Sequence, residues 1–189
     1  MSKFFAFISR MKFINRWALM RNTALESLTV HSHEVAVVAH ALCVIGNRRF
    51  GKDYDPNFAS TVALYHDASE IITGDMPTPI KYINSELLGA YKDIENQANH
   101  SLLDLLPSDM QGDYEKILFF DEKYKKIIKA ADKISALIKC EEELKMGNDE
   151  FKHAKKSTYK AIKDLGCEEA DGFLDEFFPA YTLTLDELK

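Results

Sequence analysis

Leu64-Tyr65-His66-Asp67-Ala68-Ser69-Glu70 ends an apolar helical run with a histidine and an aspartate side by side. A second carboxylate, Glu70, follows about one helical turn after His66. An adjacent His-Asp pair is common by chance, so its meaning depends on whether other segments supply partners for it. Suitable partners would be histidines and carboxylates on neighbouring helices.

Length, composition and charge indicate an ordinary globular protein. The chain has 189 residues, of which 46% are hydrophobic and 29% charged, as expected for one globular domain. The net charge of -6 provides no basic field for a nucleic-acid polymer or an anionic membrane, although a small charged substrate is compatible with it. No run of about 18 apolar residues is evident, which predicts that no segment spans a membrane.

Three cysteines, Cys43, Cys140 and Cys167, are widely spaced and form no Cys-x-x-Cys pair. An odd number of isolated cysteines argues against a disulfide framework or a zinc ribbon. We expect reduced, buried thiols and, with them, a cytoplasmic location.

Helical periodicity runs through nearly the whole chain, and no pair of alternating strands joined by a hairpin turn is evident. Thr29 is the expected N-cap of the second helix, and Asp55-Pro56 predicts the start of the third. Two prolines and a glycine exclude regular helix between Thr73 and Pro79. The sequence therefore predicts one all-α domain. Its helices are expected at about residues 3–14, 30–47, 56–72, 85–106, 121–146, 149–165 and 170–178.

Two further segments could supply partners for His66 and Asp67. His31 lies four residues before Val35 on the predicted second helix, so it projects from the face that packs in the core. Asp132 lies on the flank of an apolar stripe, next to Ile128. A carboxylate that is partly withdrawn from water is costly unless it is paired or binds a cation.

These residues form a set of two imidazoles and two carboxylates from three helices: His31, His66, Asp67 and Asp132. Such a set suits a divalent transition metal, for example Co, Mn, Fe, Ni or Zn, and leaves coordination positions for water and substrate. His66 and Asp67 can both bind only if the metal lies near a helix end. On spacing alone, His31 as a capping or core histidine and Asp132 as an exposed residue remain alternatives. The remaining histidines lack a comparable setting and are expected to be structural: His33, His40, His100 and His153.

The order of a histidine, a His-Asp pair and a later aspartate on successive helices resembles the HD-domain phosphohydrolase superfamily. Further segments are similar to the bacterial 5′-deoxynucleotidases of the YfbR type, and this resemblance covers nearly the whole chain. The segments are FFAFISRMKFINRWALMRN (4–22), VAHAL (38–42), YHDASE (65–70), TGDMPTPIKY (73–82), KCEEEL (139–144), GN (147–148) and EF (150–151).

The resemblance implies a homodimeric helical enzyme that removes the 5′-phosphate from 2′-deoxyribonucleoside monophosphates with a divalent metal. It implies one HD domain over residues 1–189, with a metal-binding core at about residues 29–146 on which the terminal helices pack. Carried over by position, the metal ligands are His31, His66, Asp67 and Asp132, and three of them (His31, Asp67 and Asp132) also contact the substrate. Arg16 orients the phosphate, Trp17 lines the nucleotide pocket, and Asp75, Met76, Pro77 and Thr78 contact the nucleoside, with Asp75 as the partner of a sugar hydroxyl.

Two of these side chains fit the chemistry independently of the resemblance. Arg16 offers a planar donor fork that matches phosphate oxygens. Glu70 can act as a general acid or base, or alternatively support a metal-binding histidine. Without the resemblance, Arg16 could equally be a surface cation, Trp17 a core residue, and the segment 75–78 a corner between helices.

One position departs from the family pattern. The family usually has glutamate immediately before the first metal histidine, whereas this chain has Val30, so we expect the support of His31 to differ.

Two other functions remain open at this point. One is another HD activity, on nucleoside triphosphates or cyclic nucleotides, and a triphosphatase should present additional basic residues, for which Arg21 and Lys81 are candidates. The other is a non-catalytic, metal-stabilised interaction protein, which would have no need of Arg16 or Glu70.

Overall fold

The computed structural model describes the whole chain except residues 78, 79, 81 and 82. The described residues form helices and no strand, with a single isolated β-bridge, which confirms the predicted all-α class. The helices are α1 Phe4–Ile8, α2 Leu28–Arg49, α3 Pro56–Tyr65, α4 Glu70–Thr73, α5 Ser85–Leu103, α6 Ser108–Leu118, α7 Glu122–Lys145, α8 Lys152–Asp164 and α9 Glu168–Glu176. Short 3₁₀ turns cover Ser9–Phe13, Asp149–Phe151 and Phe178–Thr182.

The starts of α2 and α3 test the two capping predictions. Asp55 caps α3 as predicted, because its carboxylate accepts hydrogen bonds from the amides of Asn57 and Phe58. The prediction of Thr29 as the cap of α2 is wrong. Ser27 is the N-cap, with extended backbone and a side chain that accepts from the Val30 amide. Its backbone pairs with Asn15 in the isolated bridge, so the helix begins immediately after the bridge.

The structure also differs from the sequence prediction at the end of the third helix and after Pro107. The third helix ends at Tyr65 instead of near residue 72, and a turn separates it from α4. Helix α6 was not predicted, because Pro107 was interpreted only as the end of the preceding helix. Its apolar residues Met110, Tyr114 and Leu118 recur every four residues, a helical signal that was available in the sequence.

The core is built around α2, which packs against α3 and α7. Buried side chains from these helices meet those of α8 and α9 in one large cluster, which includes Leu42, Val62, Ile134 and Phe173. A second, smaller cluster joins α1, α5 and α6 around Phe4. The point at which α3 ends lies between the two clusters, because α3 contributes to the first and Ala68 to the second. The division into a metal-binding core at residues 29–146 and flanking helices stays a prediction.

Helix α2 requires a correction to the expectation that no segment is long and apolar enough to span a membrane. By length and composition alone it could do so, since an 18-residue window has a mean hydropathy of 1.5. Of that window, 56% is buried inside the fold, and the helix forms the centre of the core. The core helix of a globular protein is expected to be apolar for the same reason.

The thiols of Cys43, Cys140 and Cys167 are all free and buried, as predicted. Burial raises the pKa of both Cys43 and Cys140 to about 12. These thiols therefore act as small apolar core groups, because thiolate formation is suppressed.

Candidate active site

A closed loop, residues 16–26, carries Arg16 to the start of α2. The loop ends are joined by the bridge between Asn15 and Ser27. The Arg16 amide donates to the Glu26 carbonyl at 2.9 Å. His31 lies in the first turn of α2, directly after this loop. The loop ends and the first turn of α2 therefore form one side of the site.

The end of α3 supplies the second side. His66 is the C-cap of α3, and Asp67 follows in the turn that leads to α4. Because the helix has ended, these adjacent side chains point to the same place. The Asp67 Oδ2 atom lies 3.2 Å from His66 Nε2 and 3.6 Å from His31 Nε2.

Asp132 completes the arrangement from the middle of α7. Its Oδ1 atom lies 3.2 Å from His31 Nε2. His31, His66 and Asp67 each offer a ligand atom within 4.8 Å of the others. Ligands at about 2.0–2.2 Å from a shared metal are separated from each other by about 3.0–3.5 Å. The separations of 3.2 Å and 3.6 Å around His31 Nε2 are compatible with such a ligand set.

The tautomers of the two imidazoles fit the same role. His66 Nδ1 lies 2.7 Å from the Ala63 carbonyl, which only accepts, so Nδ1 carries the proton. His31 Nδ1 lies 3.1 Å from Ser135 Oγ, and the Ser135 hydroxyl donates to Glu34 at 2.6 Å. Ser135 therefore accepts from His31 Nδ1. Both Nε2 atoms are buried without a well-formed hydrogen bond, and in the neutral imidazoles each presents a lone pair to the cluster, as metal ligation requires.

Support for His31 does not involve position 30. Val30 is 60% exposed, so its side chain points away from the site. Ser135 and Glu26 lie beside His31 Nδ1, at 3.1 Å and 3.3 Å. The expectation that the support of His31 differs from that in the family stays a prediction.

The cluster favours positive charge. Burial lowers the pKa of His31, but the adjacent carboxylates of Asp132 and Glu26 outweigh it and raise the pKa to about 9. Burial raises the pKa of Asp67, but its interactions with the His66 and His31 imidazoles outweigh it and lower the pKa to about 2. The pKa of Asp132 is likewise held well below its ordinary value, because its interaction with His31 outweighs burial. The charge that these carboxylates stabilise at Nε2 can be supplied by a proton or by a metal cation.

Arg16 lies beside this cluster and is surrounded by carboxylates. Its guanidinium is 3.4 Å from Asp67, 3.7 Å from Asp132 and 3.8 Å from Glu26. Burial lowers the pKa of Arg16, but these carboxylates outweigh it and raise the pKa above its ordinary value. The guanidinium is therefore held as a charged fork at the edge of the cluster.

A cavity of about 740 Å³ opens next to Arg16 and Asp132. Its size is in the range of pockets that hold small-molecule ligands. Its walls come from the loop after Arg16, from the segment after α4, and from α7 and α8. The described lining residues are Arg16, Trp17, Ala18, Leu19, Met20, Asp75, Met76, Pro77, Asp132, Lys133, Ala136, Glu150, His153, Ala154, Ser157, Thr158 and Ala161.

Trp17 has an unusual backbone conformation for a non-glycine residue, with φ at 59°. The left-handed region costs about 1–2 kcal/mol. Its indole Nε1 donates to Glu26 Oε2 at 2.8 Å, and its ring packs 5.3 Å from that of Phe151. Asn22 also donates to the Trp17 carbonyl at 3.2 Å. These contacts offset the backbone cost and hold the indole in the cavity wall.

The predicted site residues divide into four groups. The four predicted metal ligands lie together, and Arg16, Trp17, Asp75, Met76 and Pro77 line the adjacent cavity. Thr78 lies outside the described residues. Glu70 is buried at the start of α4 and is not among the described residues of the cavity wall.

Sequence reasoning missed three residues of this region. Glu26 falls in an irregular segment without periodicity, so no pattern singles it out. No sequence pattern singles out Lys133, and His153 is expected to be structural, but both line the cavity. His153 becomes part of the wall only because α8 packs against α7, a contact that no local spacing reveals.

A family model of the YfbR-like 5′-deoxynucleotidases matches residues 3–181. The chain belongs to this family. A 5′-deoxynucleotidase of Yersinia pestis (strain Pestoides F) is 45% identical over 191 aligned positions, covering 100% of this chain and 97% of the relative. A 5′-deoxynucleotidase of Yersinia pseudotuberculosis serotype O:1b is similar to the same extent. The resemblance inferred from the segments around Asn15-Arg16-Trp17 and Gly74 to Pro79 is thereby confirmed.

Solved structures of lower identity share the fold of this YfbR-like chain. An HD-domain phosphohydrolase from Listeria innocua superposes with a TM-score of 0.81 at 23% identity, covering 95% of this chain and 88% of that one. The cyanophage S-2L HD phosphohydrolase, solved with dA and one catalytic Zn²⁺ ion, superposes with a TM-score of 0.67 at 17% identity, covering 95% and 96%. These likenesses confirm the predicted HD-domain fold.

Proposed function

We propose that this protein hydrolyses 2′-deoxyribonucleoside 5′-monophosphates to the deoxyribonucleoside and inorganic phosphate, using a bound divalent metal. The observation that carries the proposal is the position of Arg16. Its guanidinium lies 3.4 Å from Asp67 and 3.7 Å from Asp132, two carboxylates of the candidate metal site, and also lines the cavity. A phosphate bound there meets a cation site on one side and a planar donor fork on the other.

Four residues would hold the metal: His31, His66, Asp67 and Asp132. When bound, a divalent cation stabilises charge on the phosphoryl oxygens and lowers the pKa of a coordinated water. We propose Co, Mn, Zn or a similar ion, because imidazole and carboxylate ligands suit these metals. The solved cyanophage relative with one catalytic Zn²⁺ supports the choice of metal class.

Arg16 binds the phosphate by its charge and its geometry. The guanidinium offers parallel N–H donors that match two phosphate oxygens. These donors face Asp67 and Asp132, which keep the guanidinium oriented. Positioning of this kind before substrate arrives stabilises charge as it develops in the transition state.

Glu70 is proposed to transfer a proton to the leaving 5′-oxygen or from the attacking water. It lies at the start of α4, where its amide donates to the Asp67 carbonyl at 3.0 Å. The alternative from the sequence, that Glu70 only supports a metal-binding histidine, predicts a different result on substitution. A Glu70→Gln change should lower kcat with unchanged metal content if Glu70 moves a proton, and lower metal content if it only supports a ligand.

The far part of the cavity is proposed to hold the nucleoside. The Trp17 indole lines it at one side, and Asp75, Met76 and Pro77 line it at another. Asp75 is proposed to bind the 3′-hydroxyl and to disfavour a 2′-hydroxyl. Among the described residues of the wall, the only cationic side chains besides Arg16 are Lys133 and the ionisable His153, which favours a monophosphate over a triphosphate.

We also propose that the protein is a cytoplasmic homodimer that binds neither membranes nor nucleic-acid polymers. An exposed apolar stripe on α2 supports the dimer: Val30, Val37 and Val44 are spaced by seven residues and all exposed. Such a stripe on a charged surface is typical of a contact between proteins. The net charge of -6 argues against binding to polyanions.

The test is phosphate release by the purified protein from dAMP, AMP, dATP and cyclic AMP, with Co, Mn, Zn or Mg added. We expect release from dAMP, strict dependence on metal, and at least about tenfold lower kcat/KM on AMP, a loss that misplacing one hydroxyl readily causes. Equal rates on dAMP and AMP would contradict the deoxy preference. Faster release from dATP or cyclic AMP would instead favour another HD activity.

The ligand assignment is tested by Asp132→Ala, with Asp186→Ala as a control at an exposed carboxylate paired with Lys189. We expect Asp132→Ala to lose bound metal and more than about 100-fold in phosphate release, while the control keeps both. If Asp132→Ala retains full metal content, Asp132 is not a ligand.

A further inference from the structure

Glu26 is a buried carboxylate for which the proposed chemistry has no role. Its side chain is 6% exposed, and it ends the loop that begins at Arg16. It is neither one of the four proposed metal ligands nor part of the described cavity wall. Burying a charged carboxylate is unfavourable unless it is paired with opposite charge or hydrogen-bonded.

The partners of Glu26 are three functional side chains. Oε2 accepts a hydrogen bond from the Trp17 indole at 2.8 Å. Oε1 lies 3.3 Å from His31 Nδ1 and 3.8 Å from Arg16 Nε. One carboxylate therefore contacts the nucleoside wall, a metal ligand and the phosphate fork.

An ionised carboxylate suits all three groups. The Trp17 indole donates a hydrogen bond to Oε2, while the His31 imidazole and the Arg16 guanidinium lie at ion-pair distance from Oε1. A glutamine at this position could still accept from the indole through its carbonyl oxygen. It would carry no negative charge toward His31 and Arg16, so that electrostatic contact would be lost.

We propose that Glu26 is a positioning residue that couples the metal site to the nucleoside pocket through the chain His31–Glu26–Trp17. A cation held at His31 Nε2 would make the imidazole more positive, and the Glu26 carboxylate, 3.3 Å from Nδ1, would be drawn toward it. The same carboxylate holds the indole, so the setting of Trp17 changes with occupancy of the metal site. The inference rests on the proposed function for the presence of a metal.

The chain provides its own probe, because Trp17 is its single tryptophan. The experiment follows Trp17 emission during titration with Zn²⁺, whose filled d shell does not quench by redox or paramagnetic routes. Calorimetry gives the Zn²⁺ affinity of the same samples. For the unmodified protein we expect emission to change with the midpoint of Zn²⁺ binding.

The decisive variant is Glu26→Gln, compared with Glu169→Gln as a matched control. Glu169 is also a buried carboxylate, with 3% exposure, and it contacts Gly46, about 22 Å along α2 from His31. We expect Glu26→Gln to raise the Zn²⁺ Kd by about 10- to 100-fold, as loss of a metal-histidine partner does. At saturating Zn²⁺, the Trp17 emission of Glu26→Gln should equal its emission without Zn²⁺. The Glu169→Gln variant should show the same Zn²⁺ affinity and the same emission change as the unmodified protein.

Glu26→Asp keeps the charge but shortens the side chain, so it tests the proposal even if the glutamine variant does not fold. Its Zn²⁺ affinity and its emission change should be smaller than those of the unmodified protein and larger than those expected for Glu26→Gln. The inference is overturned if either Glu26 variant retains full affinity and full emission change, or if emission of the unmodified protein ignores Zn²⁺. Absence of dAMP hydrolysis alongside a Glu26-dependent Zn²⁺ response would instead overturn the proposed function and leave the role of Glu26 intact.

Discussion

At the scale of single residues, the site depends on what each side chain can donate or accept. Arg16 faces two proposed metal ligands and Glu26, and each contact is to a carboxylate. A cation of any shape could balance that charge. Only a planar fork can address two phosphate oxygens together, so shape and charge can be separated by substitution.

We expect Arg16→Lys to lower kcat/KM for dAMP by about 10- to 100-fold while metal content stays unchanged, because a preorganised donor is lost and the charge is kept. Phosphate release and metal analysis on the same preparation measure both. Arg49→Lys is the matched control, since Arg49 pairs with Glu176 at the surface. A kcat/KM equal to that of the control would mean that charge alone suffices at position 16.

At the scale of secondary structure, helix ends place the ligands. Helix α3 follows the N-cap Asp55 and ends at Tyr65, so that His66 and Asp67 lie together just beyond the helix.

The Asp55 carboxylate accepts hydrogen bonds from two amides, those of Asn57 and Phe58, at 2.9 and 3.1 Å. Asp55→Ala should therefore reduce the free energy of unfolding by about 1 kcal/mol. Urea denaturation measures this, with Asp53→Ala as a neighbouring control that should change little.

Helix α7 holds the site loop through a buried ion pair. Glu143, 1% exposed, pairs with Lys139 on the same helix and accepts from the Thr23 amide at 2.9 Å and the Ala24 amide at 3.2 Å. Lys139 in turn donates to the Ala24 carbonyl at 2.6 Å. The loop that carries Arg16 and Glu26 is thereby fixed to α7, which also carries Asp132.

The Glu143 ion pair predicts a pH-dependent contribution to stability. Burial raises the pKa of Glu143, but hydrogen bonds led by that of Lys139 outweigh it, so the pKa lies well below its ordinary value. A lowered pKa stabilises the folded state above the unfolded pKa of about 4.3, and this contribution is lost as pH falls below that value. Glu143→Gln should cost about 3–5 kcal/mol at pH 7, because Lys139 is left buried and unpaired.

The difference between unmodified protein and Glu143→Gln should shrink by about 1.4 kcal/mol for each pH unit below about 4.3, since only the former loses ionised Glu143. Urea denaturation at neutral and acidic pH measures it. Glu142→Gln, an exposed neighbour, should stay within about 0.5 kcal/mol of the unmodified protein throughout. A pH-independent difference would show that the carboxylate charge is not what stabilises the loop.

The elements also mark which features the sequence could predict. Periodicity and local caps predicted the all-α class and the Asp55 cap, since both depend on spacing within about one or two turns. The grouping of His31 with His66 and Asp67 joins separate helices, and it was predicted from the position of His31 on a core-facing helix side and from the family resemblance. Glu26 could not be found in this way. Its role depends on a loop closed by one isolated bridge, and such closure leaves no periodic signal. The start of α2 was misplaced for the same reason.

At the scale of the whole molecule, α2 has two different faces. One is buried in the core and carries His31, and the other exposes Val30, Val37 and Val44. The stripe extends about 21 Å along the helix. A seven-residue apolar repeat on a helix surface is the pattern of helix pairing. This geometry fits the α2 helices of two copies packed against each other.

The dimer is tested by placing a charge in the middle of the stripe. Val37→Lys should convert a dimer into a monomer, because a lysine facing its symmetry mate buries like charges in an apolar contact. Light scattering coupled to gel filtration measures the mass. Leu185→Lys is the control, an apolar-to-cation change at a position 76% exposed near the C-terminus, and it should leave the dimer intact. If Val37→Lys stays dimeric, another surface forms the contact. If the unmodified protein is monomeric, the stripe does not mediate self-association.

We expect a monomeric Val37→Lys variant to keep full dAMP hydrolysis. Arg16, His31 and Asp132 lie together within one chain, so each copy should hold a complete site.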